Sequence, residues 1–267
     1  MKILPNMWLT AAASLASSTA IAGAPFLTDD PVPVDLAHAE LYVFTTYDHG
    51  GGGKAIGAPG LEYDYGGLPE TQFHISVPFV RSEPQGGPSA RGVGDVEVGI
   101  KYRLVAGSST SPQVAVYPSA TLATGNVARG LGNGKPSWRL PAWIQQSWGD
   151  WTTDAGAGYE ITRGAGQRSY LFGGWLVEKA IDESLSVGGE VFAQGSGTVD
   201  SRGATLLNFG GTYKVTPNFS LLFSAGRSIA GEARTVAYVS LWWTWGGGEK
   251  VHTSSASPPN PWALASR

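Results

Sequence analysis

The sequence predicts an all-β fold: a closed, antiparallel, up-and-down transmembrane β-barrel of about twelve strands. Three observations carry that expectation. The first is residues 94–104, where two lists interleave with a period of two. Val96, Val98, Ile100, Tyr102 and Leu104 are apolar, while Asp95, Glu97, Lys101 and Arg103 are charged, with Gly99 among them. A strand sends successive side chains to opposite faces, so this stretch has one greasy face and one charged face. The second is a series of strand-like runs from His38 onward, punctuated by Gly, Pro, Ser and Asn. The third is that connections alternate between mostly tight and mostly long, the layout of an outer-membrane barrel. In a soluble sandwich the greasy faces would meet in a core. In a barrel they meet lipid, and the charged faces line a wet lumen.

Composition agrees and excludes other classes. The chain has 267 residues, enough for one large β domain or two small ones; 42% are hydrophobic and 15% charged. Beyond the N-terminus no apolar run approaches the roughly eighteen residues of a membrane-spanning helix. Glycine numbers 38, and there are 10 Trp and 10 Tyr, which suits many turns and aromatic belts. Cysteine is absent, so no disulfide framework and no thiolate metal site can form. A net charge of −3 lacks the basic footprint of a nucleic-acid binder.

Residues 1–22 read as a signal peptide, with Lys2 at the start, an apolar stretch, and Ala20, Ile21 and Ala22 before the cleavage point. Residues 23–37 carry Pro25, Pro31 and Pro33 beside Asp29 and Asp30 and should be extended. Asp29 and Asp30 read better as a solvated turn or cap than as a metal pair. Strand runs follow near 38–48, 59–66, 70–81, 93–105, 113–124, 137–148, 151–161, 168–179, 184–194, 204–215, 218–227 and 234–245. Phe73, Ile75, Val77 and Phe79 oppose Gln72, His74 and Ser76. Leu61, Tyr63 and Tyr65 oppose Glu62 and Asp64, and Leu207, Phe209 and Tyr213 oppose Asn208, Thr212 and Lys214. The run 168–179 does not alternate cleanly, so its facing stays unassigned. Tight connections fall at 66–70, 149–150, 180–183 and 216–217. Longer ones fall at 48–58, 82–92, 125–136 and 195–203, and 106–112 lies between. Trp148 and Trp151 flank one tight turn, and Trp242, Trp243 and Trp245 crowd the end of the last run, placing both groups at the periplasmic interface. Pro78, Pro118 and Pro141 sit inside strand runs, which suggests a bulge, a kink or a lateral gap where Pro118 and Pro141 adjoin. The barrel should span 38–245, with a polar tail over 246–267.

The expected lumen wall, where substrate would pass, is Glu62, Asp64, His74, Asp95, Glu97, Lys101, Arg103 and Glu190. Twelve strands lie between filled eight-stranded barrels and open sixteen-stranded ones, so the lumen should be narrow and 23–37 is a candidate plug. Catalytic motifs are missing. The loop at 130–136 has a faint phosphate-loop look, but proline stands where Ser or Thr should hold magnesium. No Gly-x-Ser-x-Gly elbow or His-Glu-x-x-His pair is present. No enzyme, cofactor or metal is therefore expected. Arg91, Arg129, Lys135, Arg163, Arg168 and Arg202 fall in the longer loops, where they could meet lipopolysaccharide phosphates or simply be solvated.

A family resemblance rests on several of these stretches. It begins with Pro25, Phe26, Leu27, Thr28, Asp29, Asp30 and Pro31 and continues through 92–103. It includes Thr124 and Gly125, the Arg129–Gly134 stretch, Leu140 with Pro141, and Ser147, Trp148 and Gly149. Over roughly 24–245 the chain resembles the outer-membrane barrels of the "Putative MetA-pathway of phenol degradation" family. The resemblance implies a Gram-negative outer-membrane location and passage of small, aromatic or hydrophobic molecules. Its N-terminal motif maps to Thr28, Asp29, Asp30 and Pro31. One departure is the tail after Trp245, since such chains normally end close to an aromatic residue. Three functions follow as expectations: a channel for small molecules, a structural barrel with an occluded lumen, and a secreted soluble β-protein that binds a ligand.

Overall fold

The computed structural model describes residues 24–50 and 52–246. The signal peptide expected at 1–22 and, from 247 on, the tail expected over 246–267 lie outside the described residues, while Gly246 ends the last strand. Fourteen strands form one antiparallel sheet: β1 (His38–Gly50), β2 (Gly53–Leu68), β3 (Thr71–Pro84), β4 (Ala90–Val93), β5 (Val96–Val105), β6 (Gln113–Val116), β7 (Ser119–Leu122), β8 (Ser137–Trp148), β9 (Trp151–Ile161), β10 (Tyr170–Ala180), β11 (Leu185–Gln194), β12 (Ala204–Thr216), β13 (Phe219–Gly231) and β14 (Arg234–Gly246). β4 with β5, and β6 with β7, each make one interrupted stave, so the wall has twelve staves. β1 pairs with β14 from His38↔Gly246 to Gly50↔Arg234, and that pairing closes the sheet into a barrel. Closure leaves no open edge, as a sheet surrounded by lipid requires.

The outward face is apolar. Leu61, Tyr63, Phe73, Ile75, Ile100, Tyr102, Leu171, Trp175, Phe209 and Val239 all lie on it, exposed. Trp148 and Trp151 face each other in register at the tight turn and are exposed, as a rim belt requires. Trp243 and Trp245 also face outward, but Trp242 does not. It points inward, stacks on Tyr42 at 5.7 Å and donates its indole N–H to Glu40 at 3.2 Å. The reason is the period of two: neighbours Trp242 and Trp243 cannot share a face.

Two other expectations need correction. The connection expected at 48–58 is much shorter, because β1 runs on to Gly50 and β2 begins at Gly53, and beyond the runs 218–227 and 234–245 β13 likewise extends to Gly231, three residues before β14 starts at Arg234. Glycine-rich sequence there continues the ladder, with a bulge between Gly57 and Gly60 absorbing the irregularity. The outer rim thus mixes two tight turns with longer loops, above all 123–136. Nor do the prolines open the wall. Val116↔Ala142 and Ser119↔Arg139 belong to one register, and the Tyr117 N–H donates to the Pro141 carbonyl at 3.2 Å. On the other side the Ile100 N–H donates to the Pro118 carbonyl at 3.0 Å. Each proline forfeits one donor and the ladder runs on past it.

Candidate functional site

The interior divides into two unlike walls. Along β2, β3 and β5 the inward positions are polar. Glu62 and Asp64 follow each other on β2, with His74 opposite Asp64 on β3 and Lys101 on β5; all four are buried. Along β6 to β14 and onto β1 the inward positions carry apolar clusters interleaved with buried polar groups such as Ser119, Asp154, Glu160, Asn208 and Ser240. Tyr117, Trp143, Phe172 and Phe192 pack as one cluster. Phe44, Leu222 and Tyr238 make a second, and Ala204, Leu206 and Val236 a third. Sequence patterning missed this second wall, because an apolar residue on each face erases the alternation. The unassigned run shows it: on β10, Leu171 and Trp175 face out while Phe172 and Leu176 face in.

Residues 24–37 run between these walls. The prolines keep the segment extended, and side-chain bonds shape its middle: Asp29 Oδ1 accepts from the Asp30 N–H (2.8 Å) and Asp30 Oδ1 from the Val32 N–H (2.6 Å). Phe26, Thr28, Asp29 and Val34 are buried. Leu27 packs against the first and third apolar clusters, and Ala24 against the second.

Polar side chains of the barrel hold the segment. Glu190 on β11 accepts from the Leu27 N–H at 2.9 Å with one oxygen and from the Thr28 N–H at 2.8 Å with the other; Asn208 Nδ2 also donates to it at 2.9 Å. A carboxylate grips two successive backbone donors well, since each bond is charge-assisted. Lys101 Nζ donates to Asp29 Oδ1 at 3.0 Å and lies 3.7 Å from Asp30. Gln72 Oε1 accepts from the Val34 N–H at 3.0 Å, and the Ser224 hydroxyl donates to the Pro25 carbonyl. Gly174 makes room for the segment: a Cβ there would sit 2.1 Å from Thr28 Oγ1.

The remaining wall residues are placed differently from one another. Asp95 sits in the break between β4 and β5 and accepts from the Gly125 N–H at 2.8 Å and the Asn133 N–H at 2.7 Å. It straps the 123–136 loop across the break, and Leu131 of that loop is buried. Glu97 is half-buried and makes no direct hydrogen bond or ion pair to the described residues. Arg103 sits at the inner rim, donating to Glu70 and, at 3.1 Å, to Gln113. Of the N-terminal motif, Thr28, Asp29 and Pro31 are enclosed and Asp30 is partly open. Gln72, Asn208 and the inward aromatics were not on the sequence list; Gln72 and Asn208 do fall on the polar faces that alternation marks.

Known structures share this architecture. The COG4313 outer membrane channel from Pseudomonas putida F1 superposes with a TM-score of 0.67 at 16% identity, covering 81% of this chain and 98% of that one. The NanC porin gives 0.56 at 10% identity, over 76% and 98% of the two chains. The KdgM porin in complex with disordered oligogalacturonate gives 0.51 at 11%, over 78% and 99%. At these identities the likeness is one of fold. No curated protein matches the sequence. The family model described as "Putative MetA-pathway of phenol degradation" matches residues 44–245, most of the barrel, and the chain belongs to that family.

Proposed function

We propose that the protein is an outer-membrane channel of a Gram-negative bacterium, passing small apolar or aromatic molecules, with residues 24–37 as the element that closes its path. The observation that carries this reading is the two-walled interior. An apolar strip of Tyr117, Trp143, Phe172 and Phe192 borders a segment held in place by a few discrete polar contacts. An apolar strip lowers the cost of moving a greasy solute through the barrel, since the solute keeps apolar contact instead of meeting ordered water. Discrete contacts can break singly, which a continuous packed core cannot do. The reading is of a conduit, with no catalysis assigned. Family membership and the channel and porin neighbours support it, as does the apolar outward face. The basic side chains Arg129 and Arg202 on the longer loops, with Arg91 on β4, fit a surface that meets lipopolysaccharide.

The test is single-channel recording on refolded protein, with folding checked by heat-dependent migration on a detergent gel. Wild type should show small or rare steps. E190Q, which loses the double grip on Leu27 and Thr28, should show larger or more frequent ones. A second reading, a structural barrel with no transport, is favoured by the number of bonds to the segment. Silence from both wild type and E190Q, each folded, would establish it and overturn the channel.

A further inference from the structure

We propose that Glu62, Asp64 and His74 form a site for one divalent cation of the zinc class on the inner wall of the barrel. The sheet brings them together: Glu62 and Asp64 are successive inward residues of β2, and His74 stands opposite Asp64 on β3. All three are more than nine-tenths buried. His74 Nδ1 lies 2.8 Å from Asp64 Oδ1 and 4.0 Å from Glu62 Oε1, and the three potential ligand atoms fall within 4.8 Å of one another. A tetrahedral centre with metal–N and metal–O bonds near 2.0–2.2 Å spaces its donors by roughly 3.4 Å. Small side-chain rotations on a fixed ladder reach that spacing.

Two further observations point to a cation. The second oxygen of Glu62 is buried with no hydrogen-bond partner among the described residues. Such an oxygen is costly unless something positive or a donor meets it. The surrounding charge is also unbalanced. Glu40 pairs in register with Asp64 from β1, and Glu97 pairs with Ser76 from β5, so carboxylates flank the triad on both sides. Lys101, the nearby cation, is engaged by Asp29 and Asp30. Tyr117 closes the remaining side, its ring edge-on to His74 at 5.6 Å. A protonated His74 lies against Asp64 and at 4.0 Å from Glu62, and Glu40 takes hydrogen bonds from Tyr42 and Trp242, yet the second oxygen of Glu62 stays unanswered, and a divalent ion offsets two charges at once. The imidazole selects the ion: Ca²⁺ and Mg²⁺ prefer all-oxygen shells, while Zn²⁺ and its first-row neighbours accept one nitrogen and two carboxylate oxygens. Three protein ligands leave the fourth position of a tetrahedral ion to a water molecule. Binding requires a neutral imidazole, so the proton on Nδ1 leaves to solvent as the ion enters. This inference does not depend on what passes through the barrel.

Full-length chain, refolded in detergent and stripped with chelator, should be titrated with Zn²⁺ by calorimetry. The expected result is one ion per chain, with affinity reduced at least ten- to a hundredfold in both H74Q and E62Q. A variant lacking the other histidines (His38, His49 and His252 changed to Gln) should bind as wild type. No Zn²⁺ binding by wild type, or wild-type affinity in H74Q and E62Q, overturns the site. Folding of each variant is read from heat-dependent gel migration. Should neither triad variant fold, the Co²⁺ spectrum of wild type decides: bands of a four- or five-coordinate ion uphold the site, and the spectrum of the hexa-aqua ion removes it.

Discussion

The two walls of the lumen hold the same segment by different physics. The β2–β5 wall uses charge: Lys101 on Asp29, Gln72 on the Val34 backbone. The β8–β12 wall uses packing, with Phe172, Trp143 and Phe192 around Leu27, and grips the backbone of the segment with one of its buried carboxylates, Glu190. Packing is diffuse and tolerates the loss of any one contact only at the expense of a cavity. Charge is local and directional, and can be released by a single event. A barrel that must stay folded while its interior rearranges gains from keeping the two apart. The apolar wall supplies stability, and the polar contacts set the position of the segment.

That division can be broken most severely at Phe172. It is buried against Trp143 and Phe192, and the Arg139 guanidinium lies 3.6 Å over its ring. Phe172→Ala should cost about 3–5 kcal/mol, read as a lower urea midpoint of the folded band; an unchanged midpoint would mean that the cluster contributes little. Lys101→Gln should come close behind, because it strands buried Asp29, and breaking a buried pair from one side costs about 3–5 kcal/mol. Adding Asp29→Asn should recover most of that loss, so the double mutant sits nearer wild type than either single change. Independent, additive losses would dissolve the ion-pair account.

Glu190→Gln comes third for stability and first for position. Replacing a carboxylate that accepts two backbone N–H bonds forfeits charge-assisted bonds of about 1.5–3 kcal/mol each. Part of that loss should appear as greater protease access near Leu27 and Thr28, with the barrel midpoint falling less than in Phe172→Ala or Lys101→Gln. A midpoint that falls as far as in Phe172→Ala would erase the contrast between the two walls. The smallest effect is expected at the inner rim. Glu70 adopts a left-handed φ of 59° in the β2–β3 turn and pairs with Arg103. Glu70→Gly relieves about 1 kcal/mol of backbone strain and loses an exposed ion pair of about 0.2–1 kcal/mol, so stability should barely move. The hydrogen bond from Arg103 holds the Glu70 carboxyl below its ordinary range. The contribution of the pair is therefore complete above the unfolded-state value and fades as pH falls through the folded one. In acid wild type loses the pair but keeps the backbone strain, so Glu70→Gly should become the more stable by about 1 kcal/mol, and a gap that fails to open there would count against the pair.

Legibility in the sequence followed the same line between walls. Where one face is charged and the other apolar, as in Val96–Val105 and Thr71–Pro84, the period of two assigned both faces, and Gln72, His74 and Lys101 are buried while Phe73, Ile75 and Ile100 are exposed. Where both faces are apolar, as in Tyr170–Ala180, no period survives and the inward aromatics were invisible. Strand ends were misjudged at the glycines near 50–57, since glycine marks turns and bulged ladders alike. The triad at Glu62, Asp64 and His74 was on the wall list residue by residue. Its convergence was not legible, because it depends on the β2–β3 register across the bulge at Tyr65–Leu68, which no local pattern encodes.

Residues 24–37 lead directly into β1, and the Ala37 N–H is anchored on the Gly66 carbonyl at 2.7 Å. A tethered segment returns to its seat as an intramolecular event. Its effective concentration is set by a short leash and lies in the millimolar range, whatever the abundance of the protein. Under the proposed channel reading, displacement by a solute has to compete against that local concentration at every passage. Free peptide copied from the same stretch would compete poorly, and each barrel would reset itself without help from its neighbours.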